Sequence, residues 1–273
     1  MWSQWNLWHV VSDPRGYFFW LVVVSLAVAA LERLFPWRRE QSPARRGIVQ
    51  DLFFLIFNGH YAGMMLAMAA GWLTMWLERT LNLPLVSGPR SWNLLADTPP
   101  WVQFVVFFLL KDLLEYSIHN LLHRVPWLWQ FHKLHHSIVE MDWIGNFRFH
   151  WMEIVVYRSL SYFPLVVLGV DGGVILTIAV IATLIGHLNH ANLNWTYGPL
   201  GYIFNSPRFH IWHHDVIPHG GHGKNFAIVF SIWDWLFGTA YRPAAEQPDE
   251  LGFDDLDRFP ESLPRRLLYP WVR

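Results

Sequence analysis

The sequence predicts an all-α integral membrane protein with about four to five transmembrane helices, because its composition is apolar and its apolar segments are long. Of its 273 residues, 53% are hydrophobic and only 15% are charged. A soluble domain would carry about 25% charged residues. The chain also contains 18 tryptophans, many of them at the ends of apolar segments, where tryptophan commonly lies at the membrane–water interface.

Five segments are predicted to form these helices. They are residues 17–35, residues 52–77, a stretch that begins near residue 101, residues 154–170 and residues 174–190. The second segment contains no charged side chain, and it exceeds the roughly 20 residues that a span needs. The third segment becomes polar at Lys111 and Asp112, and Asp171, Gly172 and Gly173 form a hinge between the last two.

The distribution of arginine predicts the orientation in the membrane. The loop between the first two segments contains Arg38, Arg39, Arg45 and Arg46. The next loop contains only Arg79 and Arg90. Because short cytoplasmic loops are enriched in lysine and arginine, we expect the first loop in the cytoplasm. Counting segments from there places the histidine-rich stretches described next on the cytoplasmic side.

Ten of the 15 histidines fall into four short clusters. They are His119/His123, His132/His135/His136, His187/His190 and His210/His213/His214. Residues three or four positions apart share one face of a helix, so each cluster can direct imidazoles to one side. Adjacent buried imidazoles leave ring nitrogens unpaired unless something common binds them. The clusters therefore predict a two-metal centre, although any one of these histidines alone would be interpreted as an ordinary core or interface residue.

The residue types narrow the chemistry of this centre. Imidazole suits iron, zinc, copper and nickel, so the histidines predict a class of metal and not one element. The absence of cysteine excludes thiolate sites and a cysteine-ligated iron–sulfur cluster in this chain. The sequence has neither the Glu-x-x-His pairs of soluble di-iron bundles nor the His-Glu-x-x-His motif of zinc proteases. A net charge of −1 argues against nucleic-acid binding.

Four carboxylates near the clusters are candidate partners of the ligands. They are Asp112, Glu115, Glu153 and Asp215. A metal-bound histidine usually donates its second ring N–H to a carboxylate or a carbonyl oxygen. Asp112 and Glu115 also continue the His119/His123 stripe at steps of three and four. We expect these carboxylates to orient the ligands; the alternative is that they solvate a helix end.

The motifs around the histidines resemble those of the fatty acid hydroxylase and sterol desaturase superfamily, which consists of integral-membrane histidine-box di-iron oxygenases. The resemblance covers about residues 111–241. It is carried by HNLLH at 119–123, HKLHHS at 132–137, NFRFHWME at 146–153, GHLNHANL at 186–193, FNSPRFHIWHHD at 204–215 and GKNFAIVFSIWDWLFGT at 223–239.

The resemblance implies a bundle of transmembrane helices with a cytoplasmic helical metal-binding cap. It implies two iron ions, with zinc as a substitute in an overproduced sample, and O₂ as co-substrate for hydroxylation or desaturation of a lipid C–H bond. Electrons would come from a separate cytochrome or ferredoxin with its reductase. Carried over by position, the metal ligands are His119, His123, His132, His135, His136, His187, His190, His210, His213 and His214.

The chain also departs from the family pattern. The family often has Asp-Lys-Asn-Tyr-Gly where residues 223–227 are Gly-Lys-Asn-Phe-Ala, and the preceding loop adds His219 and His222. These two histidines are expected either to ligate metal or to line the mouth of the site. His150 resembles a histidine that precedes a glutamate by three positions, here Glu153, and its role stays open. His9 and His60 are expected to be structural.

Two other functions compete with a lipid oxygenase. A membrane haem or electron-transfer protein would use paired axial histidines, and a metal transporter would use histidines along a transit path. We favour hydroxylation over desaturation from the resemblance alone, while the lipid itself stays open. The domain organisation is expected to comprise transmembrane helices at 1–100, the histidine-box region of the same domain at 101–242, and a polar tail at 243–273 that extends over the surface.

Overall fold

The fold is helical, as predicted, over the residues that the computed structural model describes, which are 12–82, 95, 97–245 and 247–272. The β-structure in these residues is an isolated bridge between Asp215 and Leu251. His9 and Arg90, which the sequence analysis used, lie outside the described residues.

The longer helices form a bundle, and short helices and turns cover one end of it. The helices are α1 (Tyr17–Leu34), α2 (Ile48–Ile56), α3 (Ala62–Leu81), α4 (Pro100–Arg124), α5 (Pro126–His136), α6 (Trp151–Val167), α7 (Gly172–His190), α8 (Pro207–His210), α9 (Ile232–Leu236) and α10 (Leu263–Leu268). A π-helical turn, Phe57–Tyr61, joins α2 to α3, and 3₁₀ turns occur at Trp143–Phe147, Gly198–Tyr202, Ile211–His214, His219–Gly221 and Leu256–Arg258.

Three helical segments among the described residues are long and apolar enough to cross a membrane. They are α1, the continuous run from α2 through α3, and α7. The other two predicted segments are also helices, but α4 carries Lys111, Asp112 and Glu115 within its length, and α6 has only 17 residues. A helical membrane protein is therefore confirmed, while the number of spans stays a prediction.

The helices are arranged so that the histidine-rich ends meet. Helices α1 and α7 run in the same direction, because the Tyr17 hydroxyl contacts Thr183 Oγ1 at one level and Glu32 accepts the backbone N–H of Asn192 at the other. Only Val125 separates α4 from α5, and Pro126 at the start of α5 lacks the N–H that would continue α4. The chain therefore turns sharply and folds α5 back against the end of α4.

A buried network of ion pairs fixes the loops at this end. Asp51 on α2 accepts from the guanidinium groups of Arg45, at 2.7 Å, and Arg148, at 2.6 Å. Arg45 also donates to Asp142. All four side chains are buried, so each charge depends on its partners for solvation. The network ties the first loop, α2 and the segment before α6 into one unit.

The C-terminal tail packs into the protein, so the expectation of a surface extension was wrong. Phe253, Phe259 and Tyr269 are buried in one cluster with Phe54 and Leu134. The tail is rich in charged residues and proline, which is why its sequence suggested a surface segment. Its three aromatic side chains nevertheless pack against α2 and α5. The tail therefore supports the helix that carries the second histidine cluster.

We predict that Asp51→Asn strongly destabilises the protein, because it leaves two buried arginines without a carboxylate. Removing one member of a buried ion pair costs about 3–5 kcal/mol. The midpoint of thermal unfolding in detergent should fall by roughly 10 °C. Glu261→Gln is the matched control, since it removes the exposed Arg46–Glu261 pair, and such pairs contribute little. Equal midpoints for the two variants would contradict a structural role for the network.

Candidate metal centre

Nine of the ten predicted ligands converge into two groups. The first group, hereafter site A, contains His119, His123, His132, His136 and His213; the second, site B, contains His135, His190, His210 and His214. Within each group, one ring nitrogen per residue lies within 4.8 Å of all the others. Each group thus offers enough imidazole nitrogens to surround one metal ion.

Helical geometry explains how two short motifs serve both sites. On α5, His132 and His136 lie one turn apart and face site A, whereas His135 is rotated by about 100° from His136 and faces site B. The second His-His pair behaves in the same way, since His213 belongs to site A and His214 to site B. Each adjacent pair is therefore divided between the sites, which accounts for the doubled histidine in both motifs.

Hydrogen bonds from Nδ1 to backbone oxygens fix the orientation of three rings. His119 Nδ1 donates to the backbone oxygen of Phe226 at 2.7 Å, and His213 Nδ1 donates to that of Lys224 at 2.9 Å. His190 Nδ1 donates to the Gly186 oxygen at 2.8 Å. Because a carbonyl oxygen can only accept, the proton of each ring lies on Nδ1. The lone pair of each Nε2 is then free for a metal.

Several of these Nε2 atoms lie close to an Nε2 atom of a second histidine. His119 Nε2 lies 3.0 Å from His132 Nε2, and His132 Nδ1 donates to Glu153 Oε2 at 2.6 Å. With Glu153 ionised, both rings carry their proton on Nδ1, and two nitrogen lone pairs point at each other. Two further Nε2 pairs join His136 to His213 at 3.1 Å and His135 to His190 at 3.2 Å, and in each pair one ring, His213 or His190, holds its proton on Nδ1. A shared cation removes this repulsion, so the donor set fits a bound metal.

Other ring nitrogens are buried and lack a hydrogen-bond partner, including His123 Nε2, His135 Nδ1 and both nitrogens of His214. Burial lowers the pKa of His135, His136 and His214 well below the usual value, and the neighbouring imidazoles lower it further. These rings are therefore neutral, which is the form that binds metal.

Two of the four candidate carboxylates contact histidines, but only one contacts a member of the two sites. Glu153 accepts from His132, a member of site A, as described above. Asp215 Oδ2 accepts from His219 Nε2 at 2.7 Å. Asp112 instead accepts the backbone N–H groups of Val229 and Phe230. Asp112 thus holds the loop beside the histidines and does not orient a ring directly.

Glu115 also has a different partner from the one expected. Its Oε2 accepts from Lys111 Nζ at 2.7 Å in a buried pair. The helical stripe of Asp112, Glu115 and His119 exists, as the spacing predicted. Its members diverge because steps of three and four residues drift around the helix, and only His119 and His123 reach site A.

His187 is the predicted ligand that the structure does not bring into either site. Its Nδ1 donates to the Trp143 backbone oxygen at 2.9 Å, and its Nε2 lies 3.1 Å from Ser25 Oγ. Both ring nitrogens are therefore occupied by contacts that attach α7 to α1 and to the turn before α6. The ring lies one turn before His190 but points toward a different neighbour.

The remaining histidines also have structural surroundings. His150 caps α6, with Nδ1 accepting the N–H of Met152 and Nε2 donating to the Leu267 oxygen of the tail at 2.9 Å. His219 stacks on Tyr241 at 4.0 Å between ring centroids. His222 is exposed, and neither residue belongs to site A or site B. His60 lies in the π-helical turn and packs on the Phe18 ring at 4.4 Å.

A loop that the sequence analysis did not assign to the site supplies two of its acceptors. Residues 224–230 place the Lys224 and Phe226 carbonyls against the histidines. Asn225 anchors this loop to the Phe209 and Tyr241 backbone, and Asp234 accepts two backbone N–H groups within it. Asp112 and Asp234 were the sequence signal that could have identified this loop, because carboxylates in apolar segments need hydrogen-bond donors.

An apolar cavity opens beside the histidines. It holds about 910 Å³ of empty space, including the space at its open mouth. Phe147, Phe149, Ile154 and Ile228 form part of its wall. The histidines that line it are His119 of site A and His135, His190 and His210 of site B. A molecule in the cavity therefore has access to both sites.

Comparison with known proteins gives a consistent result. The fatty acid hydroxylase family model matches residues 104–239. The chain is 30% identical to the ornithine lipid hydroxylase OlsE of Rhizobium tropici, over 85% of this chain and 70% of that protein. It is 27% identical to an alkylglycerol monooxygenase of Caenorhabditis elegans, over 59% of this chain and 32% of that protein. It is also 26% identical to methylsterol monooxygenase 1-3 of Arabidopsis thaliana, over 50% of this chain and 47% of that protein.

The chain thus spans less than half the length of the last two relatives. No solved structure matches it at a significant level.

The two groups predict about two metal ions per chain, and two neighbouring histidines on α7 test the assignment. His190→Gln should remove roughly one metal ion, because it removes one of four nitrogens at site B. His187→Gln should retain both, because an amide can keep the contacts with Ser25 and Trp143. Metal content would be measured by elemental analysis on protein that elutes as the wild type. Equal metal loss in both variants would return His187 to the ligand set.

Proposed function

Since the chain belongs to the fatty acid hydroxylase and sterol desaturase superfamily, we propose that it is a membrane-bound di-iron oxygenase that hydroxylates a lipid C–H bond with O₂. Membership of this family makes it an oxidoreductase that acts on lipids. The observation that carries the proposal is the junction of two imidazole groups with an apolar cavity. A lipid carbon in that cavity lies against both groups at once.

The nine histidines of sites A and B would hold two iron ions. Neutral imidazole suits iron, and the ring nitrogens that converge at both sites fit a cation. Zinc would also bind, since the affinity order places Zn²⁺ above Fe²⁺, and an overproduced sample is expected to contain some. When bound, the iron pair supplies the activation of O₂ that an unactivated C–H bond requires.

The protein's own residues prepare the site for this reaction. Glu153 and the carbonyls of Lys224, Phe226 and Gly186 keep the ring protons on Nδ1, so that Nε2 points inward. The aromatic and aliphatic wall of the cavity excludes water from the region where the substrate carbon would lie. Exclusion of water favours the oxidation of substrate over side reactions.

The competing functions fit the geometry less well. A haem needs one axial ligand on each face and has no use for adjacent histidines that are divided between two compact groups. A transporter is expected to place polar breaks within its spans near the midplane, whereas the two groups lie where helices end. Between the two oxidative reactions, we favour hydroxylation, because the relatives compared above are named as a hydroxylase and monooxygenases.

The histidine-bearing end is proposed to face the cytoplasm, where an electron donor would dock. The loop with Arg38, Arg39 and Arg46 lies at this end, in agreement with the arginine bias. We place the docking surface of a cytochrome or ferredoxin near Arg208 and Lys224. The Lys224 carbonyl accepts from His213 Nδ1, so a donor bound there would be separated from site A by one hydrogen bond and one imidazole.

Cysteine labelling tests the orientation, since the chain contains no cysteine of its own. Ser42→Cys and His222→Cys, both at exposed positions, should react with a membrane-impermeant maleimide only from the cytoplasmic side. Asp97→Cys, exposed before α4, should react only from the opposite side. Labelling of residues 42 and 222 from opposite faces would overturn the topology.

Isotope labelling tests the reaction. The iron-loaded protein would be supplied with a host lipid extract, ferredoxin, its reductase, NADPH and ¹⁸O₂, and the lipids would be analysed by mass spectrometry. Hydroxylation should place one ¹⁸O atom in the product, whereas desaturation would form a C=C bond and send the label to water. His222→Ala, at an exposed position outside both sites, should behave as the wild type. Turnover without O₂ would rule out either oxidation.

A further inference from the structure

The cavity has a second chemical feature besides its histidines, namely a cluster of cations. The cations are Lys111 and Arg158, and they line the cavity together with Glu115 and Tyr162. Lys111 Nζ lies 5.0 Å from the centroid of the Tyr162 ring, and the Arg158 guanidinium carbon lies 5.7 Å from the same centroid. Two positive groups therefore contact one aromatic ring in the cavity wall.

The carboxylates nearby do not balance both charges. Lys111 is paired with Glu115, and Asp112 on the same helix accepts from the 229–230 backbone and Trp233 Nε1 instead. Arg158 Nη2 donates to the Asn58 backbone oxygen at 3.3 Å, in the π-helical turn. Among the residues that the structure describes, no carboxylate forms an ion pair with Arg158.

The cation in this cavity wall is only partly buried, so it is available to an anion that enters the cavity. Arg158 lies on α6, within a bundle of helices where ionisable groups are expensive and usually functional. Its planar fork of donors matches the two oxygens of a carboxylate or a phosphate. The cavity beside it is open and large enough to hold a ligand.

We propose that Arg158, supported by Tyr162 and Lys111, binds the anionic group of the lipid substrate, a carboxylate or a phosphate. This rests on the proposed function and names the substrate class, which is an anionic or zwitterionic lipid and not a neutral one such as a free sterol. Arg158 is a substrate-binding residue, while Lys111 and Tyr162 position it and add positive potential.

The position of Arg158 also determines which part of the lipid reacts. Arg158 follows Glu153 by five residues on α6, a rise of roughly 8 Å along the helix, and Glu153 contacts the site A ligand His132. An anion held at Arg158 therefore places the polar end of the lipid, and not the far end of its chain, near the histidines. Oxidation is directed to a carbon close to the anionic group.

Binding of matched lipid pairs tests this proposal. Native mass spectrometry of the metal-loaded protein in dodecyl maltoside would compare oleate with oleyl alcohol, and dioleoyl phosphatidic acid with dioleoylglycerol. Each pair shares its chains and differs in the anionic group. The variants are Arg158→Gln, Arg158→Lys, which keeps the charge but loses the planar fork, and Arg33→Gln, which removes an exposed arginine at the end of α1 as the control.

The wild type and Arg33→Gln should bind the anionic member of at least one pair at least about tenfold more tightly than the neutral one, as expected when a hydrogen bond to a charged group is added. Arg158→Gln should bring this ratio close to one, and Arg158→Lys should give an intermediate ratio. A preference for oleate alone identifies a site for carboxylates, and a preference for phosphatidic acid alone identifies a site for phosphates. A preference for both identifies a site that accepts either anion.

A ratio near one for both pairs in the wild type would overturn the proposal, as would a wild-type ratio in Arg158→Gln. If Arg158→Gln does not fold, an unchanged ratio in Arg158→Lys overturns the bidentate fork. Binding needs neither O₂ nor electrons, so its outcome is independent of whether the protein oxidises a lipid.

Discussion

The structure depends on imidazole nitrogens that converge on two small gaps inside the protein. At 3.0 Å, His119 Nε2 and His132 Nε2 repel each other unless a cation lies between them, because both rings hold their proton on Nδ1. Everything outside the gaps serves to keep these rings neutral and correctly turned. Backbone carbonyls and one buried glutamate accept the Nδ1 protons, and burial suppresses the protonation that would compete with a metal.

This constraint explains why so many hydrogen bonds and ion pairs fix the surrounding scaffold. Rings that must be held against their own repulsion need rigid supports, and each support is itself anchored. Asp112 and Asp234 fix the 224–230 loop that presents carbonyls to His119 and His213. The buried Arg45–Asp51–Arg148 network holds the segment that leads to Glu153. The aromatic side chains of the tail cover α5, and His150 joins the start of α6 to the tail through the Leu267 carbonyl.

The same bundle separates two kinds of chemistry within one cavity. Near the helix ends, neutral imidazoles and apolar walls suit oxidation away from water. Further along α6, Arg158 and the α4 residue Lys111 create a positive region around Tyr162. A lipid whose anionic group occupies that region presents carbons next to the histidines, so specificity and reactivity are supplied by different parts of the same wall.

The sequence alone was enough to predict the helical membrane class. It also identified the nine histidines that converge in the structure. Both predictions were possible because hydropathy and helical spacing are properties of nearby residues in the chain. The sequence could not determine how those histidines divide between two sites, or that His187 faces Ser25 while His190, one turn later, faces the centre. Spacing fixes where a side chain points relative to its own helix axis, but the rotation of that helix against its neighbours depends on packing. The carbonyl acceptors and the buried tail were hidden for a related reason: a backbone oxygen has no residue type, and a polar composition does not show where three aromatic rings will lie. Only the tertiary structure decided these, because contacts such as His119 with the Phe226 carbonyl, and Phe253 with Leu134, join segments that are far apart in the chain.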